Sequence, residues 1–179
     1  EIENHVNSQP PKRPIVLMFM GVAGSGKTTV AKLFAKKTGA AFHESDDFHP
    51  PENIAKMRAG IPLTDADRKT WLNKLRAIIV HALENNAFTV LTCSALKAKY
   101  RDELAAGDAR VQFVHLTGPQ TLIAERLKNR HGHFMPPTLL ASQLAILEPP
   151  AGAMVFSCEK SPEKIVAELF QALGIAAAD

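Results

Sequence analysis

Gly21-Val22-Ala23-Gly24-Ser25-Gly26-Lys27-Thr28 is the segment that most narrows what this chain can fold into. It fits G-x-x-x-x-G-K-[ST], and the residues on either side supply the setting that the pattern needs. Ile15 to Phe19 before it is a continuous apolar run, the mark of a parallel strand buried on both faces. Residues 26–38 after it carry Val30, Ala31, Phe34 and Ala35 at helical spacing, keep Lys32, Lys36 and Lys37 outside, and stop at Gly39. A strand, a glycine-rich turn and a helix start bring backbone N–H groups and the positive end of a helix dipole to one point, which suits phosphate. Lys27 then reaches the β- and γ-phosphates of a nucleoside triphosphate, and Thr28 ligates Mg²⁺. A glycine-rich turn that binds nothing is the competing reading, and matching flanks on both sides weigh against it.

The strand-then-helix pattern continues along the chain. Strands are expected at Ala40–His43, Phe88–Thr92, Val111–Leu116 and Met154–Ser157. Between them, a brief helix starts at Pro51 and stops at Gly60, and Thr64 caps a longer one whose Trp71, Leu72, Leu75, Ile78, Ile79, Ala82 and Leu83 form one apolar stripe. Asp67, three residues after Thr64, approximates a capping box. Further helices are expected at Leu96–Ala106, Pro119–Arg130 and Leu139–Leu147, with a polar hinge at 131–137. A last helix is capped by Ser161, has Pro162 in its first turn and ends at Gly174. Alternating strands and helices argue for an α/β fold, a parallel sheet covered on both faces that binds ligands at the carboxyl ends of its strands.

The 179 residues suit one domain, expected over 14–174, with polar residues 1–13 as a flexible tail and 175–179 as a short C-terminal one. A hydrophobic share of 46% excludes a disordered chain. The formal charge of +3 is interspersed with acids, so a nucleic-acid surface is permitted but not indicated and small anions fit equally well; the expected partner is a small molecule and not nucleic acid. The longest apolar run, Ile15 to Ala23, is far short of a bilayer span, so no membrane is expected. Cys93 and Cys158 both lie in apolar stretches, which argues against a disulfide framework and for a reducing compartment, the cytoplasm.

Guanine selectivity in switch GTPases usually comes with N-K-x-D. Here Asn73-Lys74 is followed by Leu75-Arg76, and no Asp has Gly three residues later, which favours ATP. Asp46 and Asp47 follow the second strand, where a carboxylate faces the phosphate end of the glycine-rich loop. Asp46 is the candidate to orient or deprotonate an acceptor hydroxyl, while Asp47 reads as an acid capping the next helix. Arg126 and Arg130 lie four apart on one helix face before His131-Gly132-His133-Phe134. They are either lid arginines that meet charge on the γ-phosphate or a solvated basic helix end. His131 and His133 have no Cys or third ligand beside them, so a structural zinc site is rejected.

Read together, GVAGSGKT, DDFHPPENIAKMRAGIPLTDADRKTWL, CSALKAKYRDEL and RLKNRHGHFMPPTLLASQLAILEPP resemble the gluconokinase family of small P-loop sugar-acid kinases, over about residues 14–174. The distinctive parts are Asp46 with His49-Pro50, Asp67-Arg68 with Trp71-Leu72, Cys93-Ser94-Ala95-Leu96-Lys97, and Gly132-His133-Phe134. The resemblance implies a P-loop kinase fold like that of shikimate and adenylate kinases. Its parts would be a five-stranded parallel sheet, a substrate-binding helical segment over 44–72 and a lid over 126–138. It also implies transfer of the ATP γ-phosphoryl group to the 6-hydroxyl of D-gluconate, with Mg²⁺, in a cytoplasmic homodimer. ATP would be held by Gly21 to Thr28, Thr29, Arg126 and Arg130, with Lys27, Asp46 and Arg130 as the catalytic residues. Gluconate is a polyol carboxylate and needs a cation and several hydrogen-bonding groups; Asp46, His49, Arg68, Lys97 and Arg101 are the candidates. The family usually has Asp two residues before Asp46, and here Glu44 stands there, one methylene longer, as a further candidate for Mg²⁺ in addition to Thr28. Arg58 reads as a surface charge, and Trp71 and Tyr100 as core aromatics. The rivals are a related kinase for shikimate, a nucleotide or another sugar acid, and an ATP-binding regulator without turnover.

Overall fold

The central strand, β1 (Val16–Met20), is buried along its whole length and feeds two cores at once. Val16, Met18 and Met20 point to one side and Leu17 and Phe19 to the other, the period-2 alternation of a strand covered on both faces. The structure, a computed structural model, describes residues 13–130 and 139–176. Its elements run β1, α1 (Lys27–Thr38), β2 (Ala41–Glu44), a single 3-10 turn (Ser45–Phe48), α2 (Pro51–Arg58), α3 (Asp65–Glu84) and β3 (Thr89–Thr92). They continue with α4 (Ala98–Ala105), β4 (Val111–Thr117), α5 (Gln120–Lys128), α6 (Leu139–Ile146), β5 (Met154–Ser157) and α7 (Pro162–Leu173).

The five strands are all parallel, in the order β2-β3-β1-β4-β5. On one face α3 and α4 pack Trp71, Leu75, Ile79 and Leu104 against Val16, Met18 and Leu91. On the other, α1 and α7 bring Phe34, Ile165, Leu169 and Phe170 against Leu17, Phe19 and Val114. A third cluster, Val22, Ala23, Leu96, Ile123, Leu127, Leu140 and Cys158, lies beyond the strand ends and seats α5 and α6 against the loop after β1. No helix among the described residues is long and apolar enough to cross a membrane.

The expected helix stops and starts have physical counterparts. Thr64 accepts from the Asp67 N–H while Asp67 accepts from the Thr64 N–H, closing the capping box of α3, and Ser161 caps α7 by accepting from the Lys164 N–H. Several boundaries differ from the sequence expectation by a residue or two, and three of the differences bear on the site. β2 runs on to Glu44, so Glu44 belongs to the end of a strand and not to the segment after it. α4 begins at Ala98, not Leu96, because Ala95 adopts a left-handed backbone (φ 44°) and Lys97 is extended. α5 ends at Lys128, so Arg130 stands beyond the helix and does not share its face with Arg126.

Candidate active site

The loop from Gly21 to Gly26 is tight at Gly21 and Gly24, where there is no room for a side chain. A Cβ on Gly21 would sit 2.6 Å from Ser25 Oγ and 2.7 Å from the Leu116 carbonyl; one on Gly24 would meet Leu127 at 2.8 Å. Gly26 is the N-cap of α1 and offers no side-chain acceptor, so the first-turn amides of that helix are left for an outside anion. Within the loop, Val22 and Ser25 are buried. Ala23, Gly24, Gly26, Lys27, Thr28 and Thr29 line a cleft of about 400 Å³ at the carboxyl ends of the strands.

Behind the loop, one carboxylate joins three elements. Glu44 at the end of β2 accepts hydrogen bonds from Thr28 Oγ1 at 2.7 Å and from Thr92 Oγ1 at 2.6 Å. Thr92, at the end of β3, is fully buried and its hydroxyl also accepts from the Ser45 N–H at 3.2 Å. The longer side chain thus reaches the P-loop threonine directly. A hydroxyl and a carboxylate oxygen side by side are hard donors that suit Mg²⁺, which binds through one or two protein groups and completes its shell with water and phosphate. Burial pushes the Lys27 ammonium down in pKa, and the Asp46 and Glu44 carboxylates oppose that shift.

The 3-10 turn that carries Asp46 is pinned from α3, where buried Trp71 donates its indole N–H to the Ser45 carbonyl at 2.7 Å. Trp71 is therefore a core residue, as its position suggested, and also a wall of the cleft. The His49 ring stacks on it at 4.5 Å and 10°. Burial pushes the His49 imidazole down to about 4, more than the Asp46 carboxylate raises it, so the ring is neutral near pH 7. Its Nδ1 lies 3.4 Å from the amide nitrogen of Asn53, which also donates to the Asp67 carbonyl at 2.8 Å and so ties α2 to the start of α3.

Arg68, one turn into α3, also lines the cleft. It does not pair with its neighbours in sequence. Asp67 is held by Lys56 at 2.9 Å, and Asp65 by Lys97, Lys99 and Tyr100. Arg68 instead donates to the Tyr100 hydroxyl at 3.2 Å, with its guanidinium 5.5 Å from that ring. Lys97 is the N-cap residue of α4 and lines the same cleft.

Arg101 is the correction among the expected substrate residues. It is 8% exposed and does not line the cleft; its guanidinium donates to the carbonyls of Ala95 (2.7 Å), Leu96 (3.1 Å) and Glu148 (2.8 Å). The turn at Ala95 leaves carbonyls that the delayed start of α4 cannot use, and a guanidinium with five donors satisfies them.

Arg126 and Arg130 also line the cleft, Arg126 beside Gly26 of the loop, and Arg126 donates to the Cys158 carbonyl at 2.7 Å. Residues 131–138 of the expected lid lie outside the described residues. Sequence reasoning missed Gln143 on α6, whose Oε1 accepts from the Ala23 N–H of the loop at 2.7 Å, and Asp65, which lines the cleft at the start of α3. No local motif marks either one, since each acts on residues far away in sequence.

A P-loop whose helix amides are open, facing a carboxylate and a cation-rich wall across one cleft, defines a P-loop kinase of small molecules. Residues 16–150 match the AAA domain family model. The chain is 44% identical to a gluconokinase from Gluconobacter oxydans over 89% of its own length and 91% of that protein's. Among solved structures it resembles a sugar kinase from a Janibacter species (TM-score 0.84, 44% identity, 94% of this chain and 100% of that one). It also resembles a gluconokinase from Sinorhizobium meliloti (TM-score 0.78, 42% identity, 91% and 94%). The chain belongs to the gluconokinase family.

Proposed function

We propose that the chain transfers the γ-phosphoryl group of ATP to the 6-hydroxyl of D-gluconate, giving 6-phospho-D-gluconate and ADP. The observation that carries this is the single cleft in which Lys27 and the P-loop face Asp46, with His49, Arg68 and Lys97 on the acceptor side. The loop amides and Lys27 hold the phosphates. Asp46 orients the acceptor hydroxyl and takes its proton as the oxygen attacks phosphorus and the bond to ADP breaks. Arg126 and Arg130 face the nucleotide, and Arg130 meets charge developing on the transferred group. Arg68 and Lys97 supply cations for a sugar acid, and neutral His49 a hydrogen bond for its hydroxyls. Thr28 and Glu44 would hold Mg²⁺, which when bound neutralises charge on the phosphate oxygens.

In this reading residues 44–72 recognise the acceptor and 126–138 close over ATP. We further infer a cytoplasmic homodimer: the family resemblance supports it, and the two buried free thiols, Cys93 and Cys158, suit a reducing compartment. Light scattering near twice the 19.5 kDa chain mass is the expected result. A coupled ADP assay with gluconate, shikimate, nucleoside monophosphates and no acceptor tests the reaction. Gluconate should give the highest kcat/KM; preference for another acceptor, or ADP release independent of any acceptor, would refute the proposal.

A further inference from the structure

Asp65 is the first residue of α3 and lines the acceptor side of the cleft together with Arg68 and Lys97. Its Oδ1 accepts from Lys97 Nζ at 3.1 Å and from the Tyr100 hydroxyl, and its Oδ2 accepts from Lys99 Nζ. The Tyr100 hydroxyl in turn accepts from Arg68 at 3.2 Å, so a donor chain runs from the guanidinium through the phenol to the carboxylate. Three cations surround the Tyr100 ring, Arg68 at 5.5 Å, Lys97 at 5.7 Å and Lys99 at 5.6 Å. Glu148, which accepts from the Ala98 N–H and also acts on Lys99, is a second carboxylate nearby, so three cations face two carboxylates and positive charge remains in excess. The donor set is also what a free carboxylate requires, two charged amines and a hydroxyl converging on its oxygens.

The wall of the cleft thus already contains a carboxylate site filled by the chain's own side chain, with Lys97 and Arg68 lining the cleft beside Asp65 and Lys99 and Tyr100 reaching that carboxylate from outside the lining. We propose that Asp65 is an internal stand-in for the substrate's carboxylate, occupying the subsite of Lys97, Lys99, Tyr100 and Arg68 until the carboxylate of a sugar acid takes its place. This inference rests on the sugar-acid reading of the cleft and deepens it by assigning the acid end of the acceptor to α4 and the start of α3. The exchange is inexpensive because Asp65 is about half exposed (48% of its side chain), where ion pairs contribute little and a displaced carboxylate is readily hydrated. It also gives selectivity, since a neutral polyol offers nothing to replace the anion that it displaces. The hydrogen bonds from Lys99, Tyr100 and Lys97 hold the Asp65 carboxyl well below the usual carboxylate range, so the stand-in is charged at any working pH.

The chain's single tryptophan, Trp71, is stacked on His49 in the same cleft and reports acceptor binding without ATP. In fluorescence titrations Asp65→Asn should bind D-gluconate about three- to tenfold more tightly than the parent, the scale of one or two exposed ion pairs. D-sorbitol, the same carbon chain without the carboxylate, should bind both proteins alike. Equal or weaker gluconate binding by the variant would overturn the exchange, and so would equal tightening toward sorbitol, which would mean that Asp65 only occupies space. If Asp65→Asn does not fold, Asp65→Ser serves in the same titrations. Turnover of gluconate by the parent is measured separately. Its absence refutes the acceptor reading, while titration of parent and variant with D-glycerate still decides the exchange by the same criterion.

Discussion

Replacing Glu44 separates its structural role from its electrostatic one. Its carboxylate accepts from Thr28 and Thr92, and Thr92 is fully buried at the end of β3. In Glu44→Ala the Thr28 hydroxyl, beside the cleft, recovers a partner from water, whereas the Thr92 hydroxyl loses its acceptor in a site that water does not reach. Losing one buried hydrogen bond to a charged group costs about 1.5–3 kcal/mol. For a chain of this length each kcal/mol lowers Tm by roughly 2–4 °C, so the expected drop is about 3–12 °C. Glu44→Gln keeps size and can still accept from one threonine while donating to the other, so its Tm should stay within about 2 °C of the parent. It lacks the charge, however, and the Mg²⁺ concentration for half-maximal turnover should rise. Differential scanning calorimetry and Mg²⁺ titration of the initial rate read the two effects. An unshifted Tm in Glu44→Ala would refute the bridge, and an unchanged Mg²⁺ requirement in Glu44→Gln would remove Glu44 from the ion's surroundings.

Asp46→Asn preserves size and removes the base; kcat should fall about 10²–10⁴-fold with the ATP KM nearly unchanged, and equal losses in both would point to a structural or Mg²⁺ role. Arg68→Ala should raise the gluconate KM roughly 10- to 100-fold and leave the ATP KM near that of the parent, with Arg68→Lys recovering only part because an ammonium lacks the planar fork. Equal shifts for both substrates would mean that Arg68 supports the cleft as a whole. His49 is held neutral in the folded chain, with a pKa of about 4 against 6.5 when unfolded. The unfolded chain therefore takes up the proton first, and this contribution to stability is fully present above pH 6.5 and lost as pH falls toward 4. Urea unfolding at pH 7, 5.5 and 4.5 should show a shallower pH slope for His49→Gln than for the parent, and identical slopes would refute the buried neutral ring.

What the sequence disclosed was local. The P-loop, the Thr64–Asp67 capping box, the Ser161 cap and the apolar periods of the strands each depend on residues within a few positions of one another. The fold class followed from their alternation and from the family resemblance. What it hid was long-range partnership. Arg101 was a plausible substrate ligand by charge, yet the left-handed turn at Ala95 created orphan carbonyls that claimed it. Tyr100 reads as a core aromatic and is 4% exposed, but its hydroxyl links Arg68 and Asp65, 32 and 35 residues before it in the chain. Gln143 meets the P-loop across 120 residues of chain. Glu44 stood out in the sequence only as a departure from the family's Asp, and its bridge to Thr92 required the pairing of β2 with β3.

What the purified chain makes from ATP, Mg²⁺ and D-gluconate decides most directly whether it is a gluconate 6-kinase. Phosphorus-31 and carbon-13 NMR of the reaction mixture should show ADP and one phosphomonoester in equal amounts, with phosphorus coupled to C6 of the sugar acid and no free phosphate accumulating early. Inorganic phosphate appearing in step with ADP, or a phosphoryl group on any other carbon, would contradict the assignment of Asp46 to the 6-hydroxyl and of the acceptor's acid end to the Arg68 and Lys97 wall.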